Sequence, residues 1–336
     1  MKDTNGNKNK NTKINYSLEL LRFILCFWVV LHHCCRKVTK FKGKFHVPTF
    51  MIMSFYFYYN TLKTGHLSRI KQRFQRISTP YIIWPILIFI FNNILLRLFG
   101  FSIFKKKLLI KDLLLQLILG THYHVIFYYL FVLIFLTLLF SIISILFNKN
   151  FIFIFQLLLI LAYIIQYKYW SLYIKKNYTH SIESVGALFE LMPFSVSGIT
   201  LYHLEIIPKL KQFKELSIFY IVIILYFILK FDIFVRIKGL LYPGVMLNIG
   251  GICIFLIFSI FSFKNRKLIF LLNIITKFTG GIYYIHIICF FILSRKVNFI
   301  SNFTFKGSLV IYIISYIICY FGNKLSFKTK IRLLFN

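Results

Sequence analysis

Four charged or imidazole side chains, Glu19, Arg22, His32 and His33, sit inside the otherwise apolar run LELLRFILCFWVVLHHCC at 18–35. A single Arg or Asp at the centre of a bilayer costs ~2.5–3.5 kcal/mol on insertion scales, so their presence in a would-be span needs a reason. At ~100° per residue, a separation of eleven returns to within ~20° of the starting face, ~16.5 Å further along the axis. Arg22 and His33 are eleven apart and share one face, while His32 is turned off it by ~80°. Glu19 lies three residues before Arg22, within reach of an i,i+3 ion pair that lowers the cost of burying the guanidinium. An imidazole, with an ordinary pKa near ~6.5, can take a proton at neutral pH. The stripe therefore offers a general base at one end and a fixed cation at the other, facing a cavity inside a helix bundle. A blander reading has the same groups snorkel outward at the two membrane surfaces.

A second basic face follows. Arg69, Arg73 and Arg76 are spaced i, i+4, i+7, so on a helix Arg73 and Arg76 project within ~40° of Arg69. Guanidinium forks grip phosphate oxygens in pairs, and on spacing alone a phosphorylated ligand and phospholipid headgroups suit this face equally. Pro80 is expected in the first turn of the next span. Glu190 and Glu19 are two acids that fall inside spans; Glu190 suits either a sugar hydroxyl or a basic partner. His124 stands where a loop enters a membrane helix, and His286 lies in an apolar helix beside Tyr283 and Tyr284. His46, His66, His122, His180 and His203 read as loop or interface residues. No zinc or dinucleotide motif is present, and the six cysteines (Cys26, Cys34, Cys35, Cys253, Cys289, Cys319) show no C-x-x-C or metal spacing.

The elements that must position these groups are helices. Of 336 residues, 59% are hydrophobic, and the mean hydropathy is +0.77. The fold class expected is all-α, a polytopic integral membrane protein of about ten spans, each needing ~20 mostly apolar residues. The candidates are 17–35, 45–62, 79–99, 123–147, 150–167, 184–204, 215–231, 241–263, 279–294 and 307–323. Segments 110–119 and 268–278 read instead as interfacial amphipathic helices. The expected organisation is a polar basic tail at 1–16, a single membrane domain at 17–323 and a basic tail at 324–336. The N-terminus reads as an uncleaved tail rather than a signal peptide. There are 41 Lys plus Arg against 8 Asp plus Glu, a balance suited to anionic lipid headgroups or an anionic ligand. The basic residues lie in short loops and form no continuous patch, which argues against nucleic acid as a partner. The Arg-rich loop between spans two and three favours a cytoplasmic N-terminus.

The stretch LELLRFILCFWVVLHH resembles the first helix of the integral-membrane acyltransferase 3 family, whose members open with an acidic residue, Leu-Arg, and a His eleven residues after that Arg. Here those positions are Glu19, Arg22 and His33. MIMSFYFYYN (51–60) is similar to the second-helix pattern, although members have Ser-Gly where this chain has Ser54-Phe55. RIKQRFQRISTPYIIW (69–84) resembles the Arg-x-x-Arg stretch leading to Pro-Tyr. GTHYHVIFYYLFVLIF (120–135) resembles the fourth-helix start, with Ile126 where Trp is common, and GGIYYIHIICF (280–290) the late motif Gly-Ile-Tyr-x-Ile-His.

The resemblance implies O-acyl transfer, most simply of acetyl, from an acyl-CoA to a hydroxyl of a bacterial surface polysaccharide or its lipid-linked precursor. It implies residence in the bacterial inner or plasma membrane and no permanently bound cofactor, with acetyl-CoA or another acyl-CoA as co-substrate. His33 is then the base, with Arg22 and Glu19 completing the catalytic group; Arg73 and Arg76, with Arg69, serve the donor; His124, His286 and Glu190 are substrate-binding candidates. Two rival classes remain open on sequence: a transporter or flippase for an anionic or lipid-linked solute, and a non-catalytic family member acting as an assembly partner.

Overall fold

A computed structural model describes residues 15–35, 45–64, 66–99, 107–120, 127–147, 151–166, 180–230, 245–263, 265–294 and 304–325. Thirteen helices occupy them: α1 (Tyr16–Cys34), α2 (His46–Thr64), α3 (Leu67–Phe99), α4 (Ile110–Leu119), α5 (Tyr128–Phe147), α6 (Phe151–Ile165), α7 (His180–His203), α8 (Ile206–Gln212), α9 (Lys214–Lys230), α10 (Val245–Ile260), α11 (Arg266–Thr276), α12 (Thr279–Leu293) and α13 (Phe305–Leu325). No strand occurs among the described residues. Each span expected from the sequence coincides with a helix, and the two interfacial segments correspond to α4 and α11.

Ten spans are not reached by length and apolar composition. Among the described residues, five helices qualify, or seven if the bent pairs α8–α9 and α11–α12 each count as one span. α6 and α10 fall short in length; α2 is long enough but is not among the five. It is packed against α1, α5, α7 and α10, and carries His46, Thr49, Tyr58 and Tyr59 as buried polar or amphipathic residues. A helix enclosed by protein has no need of a uniformly apolar surface. By contrast α3, α5, α9 and α13 turn Ile90, Ile94, Phe135, Ile142, Phe219, Val222, Leu309 and Ile313 outward, the apolar girdle of a multi-pass membrane protein.

Pro80 does not open a span. It lies, with Pro85, inside the continuous 33-residue helix α3, which at ~1.5 Å per residue is ~50 Å long against a ~30 Å hydrocarbon core. The N-terminal turns of α3, bearing Arg69, Arg73 and Arg76, are thus one piece with its membrane-crossing part.

α2 packs closely on α7. Gly198 of α7 lies so near α2 that a Cβ would overlap the Ile52 carbonyl oxygen and reach 3.0 Å from the Tyr56 nitrogen. Both are backbone atoms and cannot swing aside. Gly198→Ala is therefore expected to push the helices apart at a cost of ~1–3 kcal/mol or more, seen as a lowered thermal midpoint and reduced yield of monodisperse protein in detergent. An unchanged midpoint would contradict this packing.

Candidate active site

α1 runs beside α12 in the same direction, because Arg22 meets Thr279 at one end and His33 meets His286 at the other. The cap of α1 is Asn15, whose side chain accepts from the Ser17 N–H, and the Ser17 hydroxyl donates to the Phe261 carbonyl after α10. These bonds fix the start of the helix that carries the polar stripe.

The Glu19–Arg22 pair expected from the i,i+3 spacing forms, with Nη1 3.2 Å from Oε2 and 3.3 Å from Oε1. Arg22 Nη2 also donates to the Thr279 hydroxyl at 2.7 Å. One turn on, the Cys26 thiol donates to the Thr279 carbonyl at 3.2 Å. Thr279 is the first residue of α12, just past a 48° bend from α11, so the break in the helix pair is what brings this hydroxyl to the guanidinium.

Arg22, Thr279 and Gly280 form one wall of a cavity of about 110 Å³ whose remaining lining is Val47 and Phe50 of α2, Tyr129 of α5, and Tyr283 and Tyr284 of α12. The Tyr129 and Tyr283 rings face each other at 5.8 Å. The cavity thus lies among α1, α2, α5 and α12, and is well below the ~300–1,000 Å³ of a pocket that encloses a whole drug-sized ligand.

His33 is partly exposed, whereas His286 is fully buried; their rings are 5.6 Å apart. The cavity lining includes Tyr283 and not His286, so His286 sits one turn beyond the wall, against α1. His32 and His46 extend the row: His32 is 5.4 Å from His33 and 5.3 Å from His46, and His46 stacks on Trp28 at 6.2 Å. His46 is therefore no loop or surface residue. It is 2% exposed and belongs to a four-imidazole row that joins α1, α2 and α12. Helix-wheel arithmetic turns His32 away from His33's face, and it cannot foresee that α2 begins on the face His32 occupies.

The three arginines of α3 separate. Arg69 and Arg76 are exposed. Arg73 turns inward, donating to the Ser54 carbonyl at 3.3 Å, the Ser54 hydroxyl at 2.8 Å and the Thr137 hydroxyl at 3.3 Å. Its guanidinium lies 4.2 Å from the centroid of the Tyr58 ring and 5.1 Å from that of Phe55, and it acts electrostatically on Tyr129 of the cavity wall. Phe55, the departure from the Ser-Gly pattern, is fully buried beneath this cation and against Phe140. Along α2, the eight residues from His46 to Ser54 set Arg73 and the imidazole row ~12 Å apart.

Glu190 is buried in α7, at 4% exposure, and does not line the cavity. His124 and His122 fall outside the described residues. No cluster of three or more His, Cys, Asp or Glu side chains suited to a metal ion occurs among the described residues. Sequence reasoning missed Thr279, Tyr129 and Tyr283; the family-like stretches contain or adjoin all three, but nothing in their spacing says which side chains turn toward Arg22.

A family model described as an acyltransferase domain, acyltransferase 3, matches residues 15–324. No curated protein and no solved structure matches the chain.

Proposed function

From the chain's membership of the acyltransferase 3 family, we propose that it is a membrane O-acyltransferase that moves an acetyl group from acetyl-CoA to a hydroxyl of a cell-surface carbohydrate or its lipid-linked precursor in a bacterial cell membrane. The observation that carries this reading is the common face of α1, which sets Arg22 on the wall of a small cavity and His33 eleven residues further on, against His286 of α12. Attack on a thioester needs a base for the hydroxyl proton and a positive or hydrogen-bonding group for the developing oxyanion. His33 takes the hydroxyl proton as the new C–O bond forms and the C–S bond breaks, then returns it to the departing thiolate. Arg22, held by Glu19 and Thr279, fixes the cavity wall ~16.5 Å along α1 from His33, and the Tyr283 and Tyr129 hydroxyls are the candidates for the oxyanion.

A cavity of about 110 Å³ suits a short acyl group and leaves the nucleotide of coenzyme A outside. The exposed Arg69 and Arg76 of α3 suit its phosphates, and Arg73 ties that segment to Ser54 of α2 and Thr137 of α5. The test is transfer of labelled acetyl from acetyl-CoA to an alkali-labile ester on a crude surface glycan by membranes containing the protein. Ester formation with release of free thiol supports the reading. Movement of a glycan precursor across vesicles without thiol release would replace it with a flippase.

Two substitutions grade the Arg22 cluster. The Glu19–Arg22 pair is about a third exposed (29% and 36%), so its contribution to stability is ~0–1 kcal/mol. Glu19→Gln is expected to leave folding intact and lower turnover by less than ~10-fold. Thr279→Val removes a bond to a charged donor worth ~1.5–3 kcal/mol, hence ~10-fold or more in rate where that bond holds Arg22 on the cavity wall. Initial rates of the two variants check the order.

A further inference from the structure

His286 is enclosed at 0% exposure, beyond the cavity wall. Its Nδ1 lies 3.0 Å from the Ile282 carbonyl oxygen, one turn back on α12. A carbonyl only accepts, so Nδ1 carries the proton, and in the neutral ring Nε2 holds a lone pair. That Nε2 has no hydrogen-bond partner among the described residues. Buried acceptors are seldom left in that condition. The ring that faces it across the α1–α12 interface is His33, 5.6 Å away and tilted by 39°.

We propose that His286 is a positioning residue for His33: its bare Nε2 accepts the N–H of His33 and so fixes which ring nitrogen of His33 presents a lone pair to the acceptor hydroxyl. The assignment rests on the acyl-transfer reading above and replaces a substrate contact for His286 with a contact to the base. Tightening a ring-to-ring contact into a hydrogen bond when substrate binds is ordinary for such groups. The backbone of α12 locks the His286 tautomer through Ile282, and His286 in turn locks that of His33. During transfer His33 gains the hydroxyl proton and gives it to the thiolate. His286 gains and loses none; as a neutral acceptor it holds the imidazolium in place while it exists.

The experiment compares His286→Leu, which keeps bulk but has no acceptor, with His286→Gln, whose amide oxygen can reach the Nε2 position. In full-length protein, His286→Leu is expected to lower kcat by ~10²-fold with both KM values within about twofold, and His286→Gln to recover most of that loss. Raised KM with kcat unchanged would make His286 a substrate contact and overturn the proposal, as would equal losses in both variants at equal thermal midpoints. A second readout needs no turnover: the rate at which diethylpyrocarbonate modifies His33 at pH 8, followed by peptide mapping. His286→Leu should slow that rate several-fold and His286→Gln restore it; an unchanged rate overturns the pairing. If wild type transfers no acyl group while the His33 rate still responds to position 286, the acyltransfer reading fails and the pairing stands.

Discussion

Replacing His33 by alanine is expected to lower acyl transfer by ~10²–10⁴-fold, the usual worth of a general base, while the yield and thermal midpoint of the protein hold. The side chain is partly exposed, so truncating it opens no sealed core cavity. It also stands where α1 meets α12, in register with Arg22 on the cavity wall. His32, its neighbour in sequence, makes the internal control. Its ring lies against His46, which stacks on Trp28, on the side of α1 that faces the start of α2. His32→Ala is expected to lose less than ~10-fold in rate, with any larger share appearing as lowered stability through the loosened α1–α2 contact. Equal losses for both, or a larger loss for His32, would remove the assignment of the base to His33 alone.

Arg73→Ala is expected to fail differently, in the amount of folded protein. The guanidinium binds two oxygens of Ser54 on α2 and the Thr137 hydroxyl on α5, and covers the Tyr58 and Phe55 rings. One side chain thus ties three helices. Hydrogen bonds from a charged donor contribute ~1.5–3 kcal/mol each, and removing the donor also strands its buried acceptors; a desolvated cation–π contact adds ~2 kcal/mol. The summed effect of Arg73→Ala is expected to exceed ~3 kcal/mol. Arg73→Lys keeps the charge but not the planar fork that spans Ser54 and Thr137, and should recover only part. Arg69→Ala and Arg76→Ala remove exposed side chains and should leave the midpoint unchanged while raising the KM for acetyl-CoA. A wild-type midpoint for Arg73→Ala would contradict its structural role, and an unchanged donor KM for both exposed variants would remove them from the donor site.

This division of labour shows what the sequence could and could not reveal. Spacing alone fixes what happens within one helix, so the Glu19–Arg22 pair and the shared face of Arg22 and His33 were readable from residues 19–33. Apolar runs of sufficient length likewise marked the helices other than α8 and the N-terminal turns of α3, including the amphipathic segments α4 and α11. Which neighbour covers a face is a tertiary matter. Arg69, Arg73 and Arg76 fall on nearly one face by arithmetic, yet only Arg73 stands level with Ser54 and Thr137, so it alone turns in. Thr279 reaches Arg22 because α11 and α12 are bent at residues 277–278, and no propensity announces that angle. His46 looks like a loop or interface residue because it stands at the edge of an only modestly apolar stretch, two residues before Pro48; its burial follows from α2 being wrapped by protein rather than lipid. The same enclosure explains why α2, though long enough, is not among the helices apolar enough to cross a membrane.

The measurement that bears most directly on the centre of this account is acceptor-dependent release of free thiol from acetyl-CoA by the purified full-length protein, with wild type and His33→Ala side by side. The expected result is thiol release that rises with glycan acceptor in the wild type, matches the ester formed, and falls at least ~10²-fold in the variant. Equal thiol release and ester formation by the two proteins, at equal thermal midpoints, would show that the Arg22–His33 face of α1 is not where acyl transfer takes place.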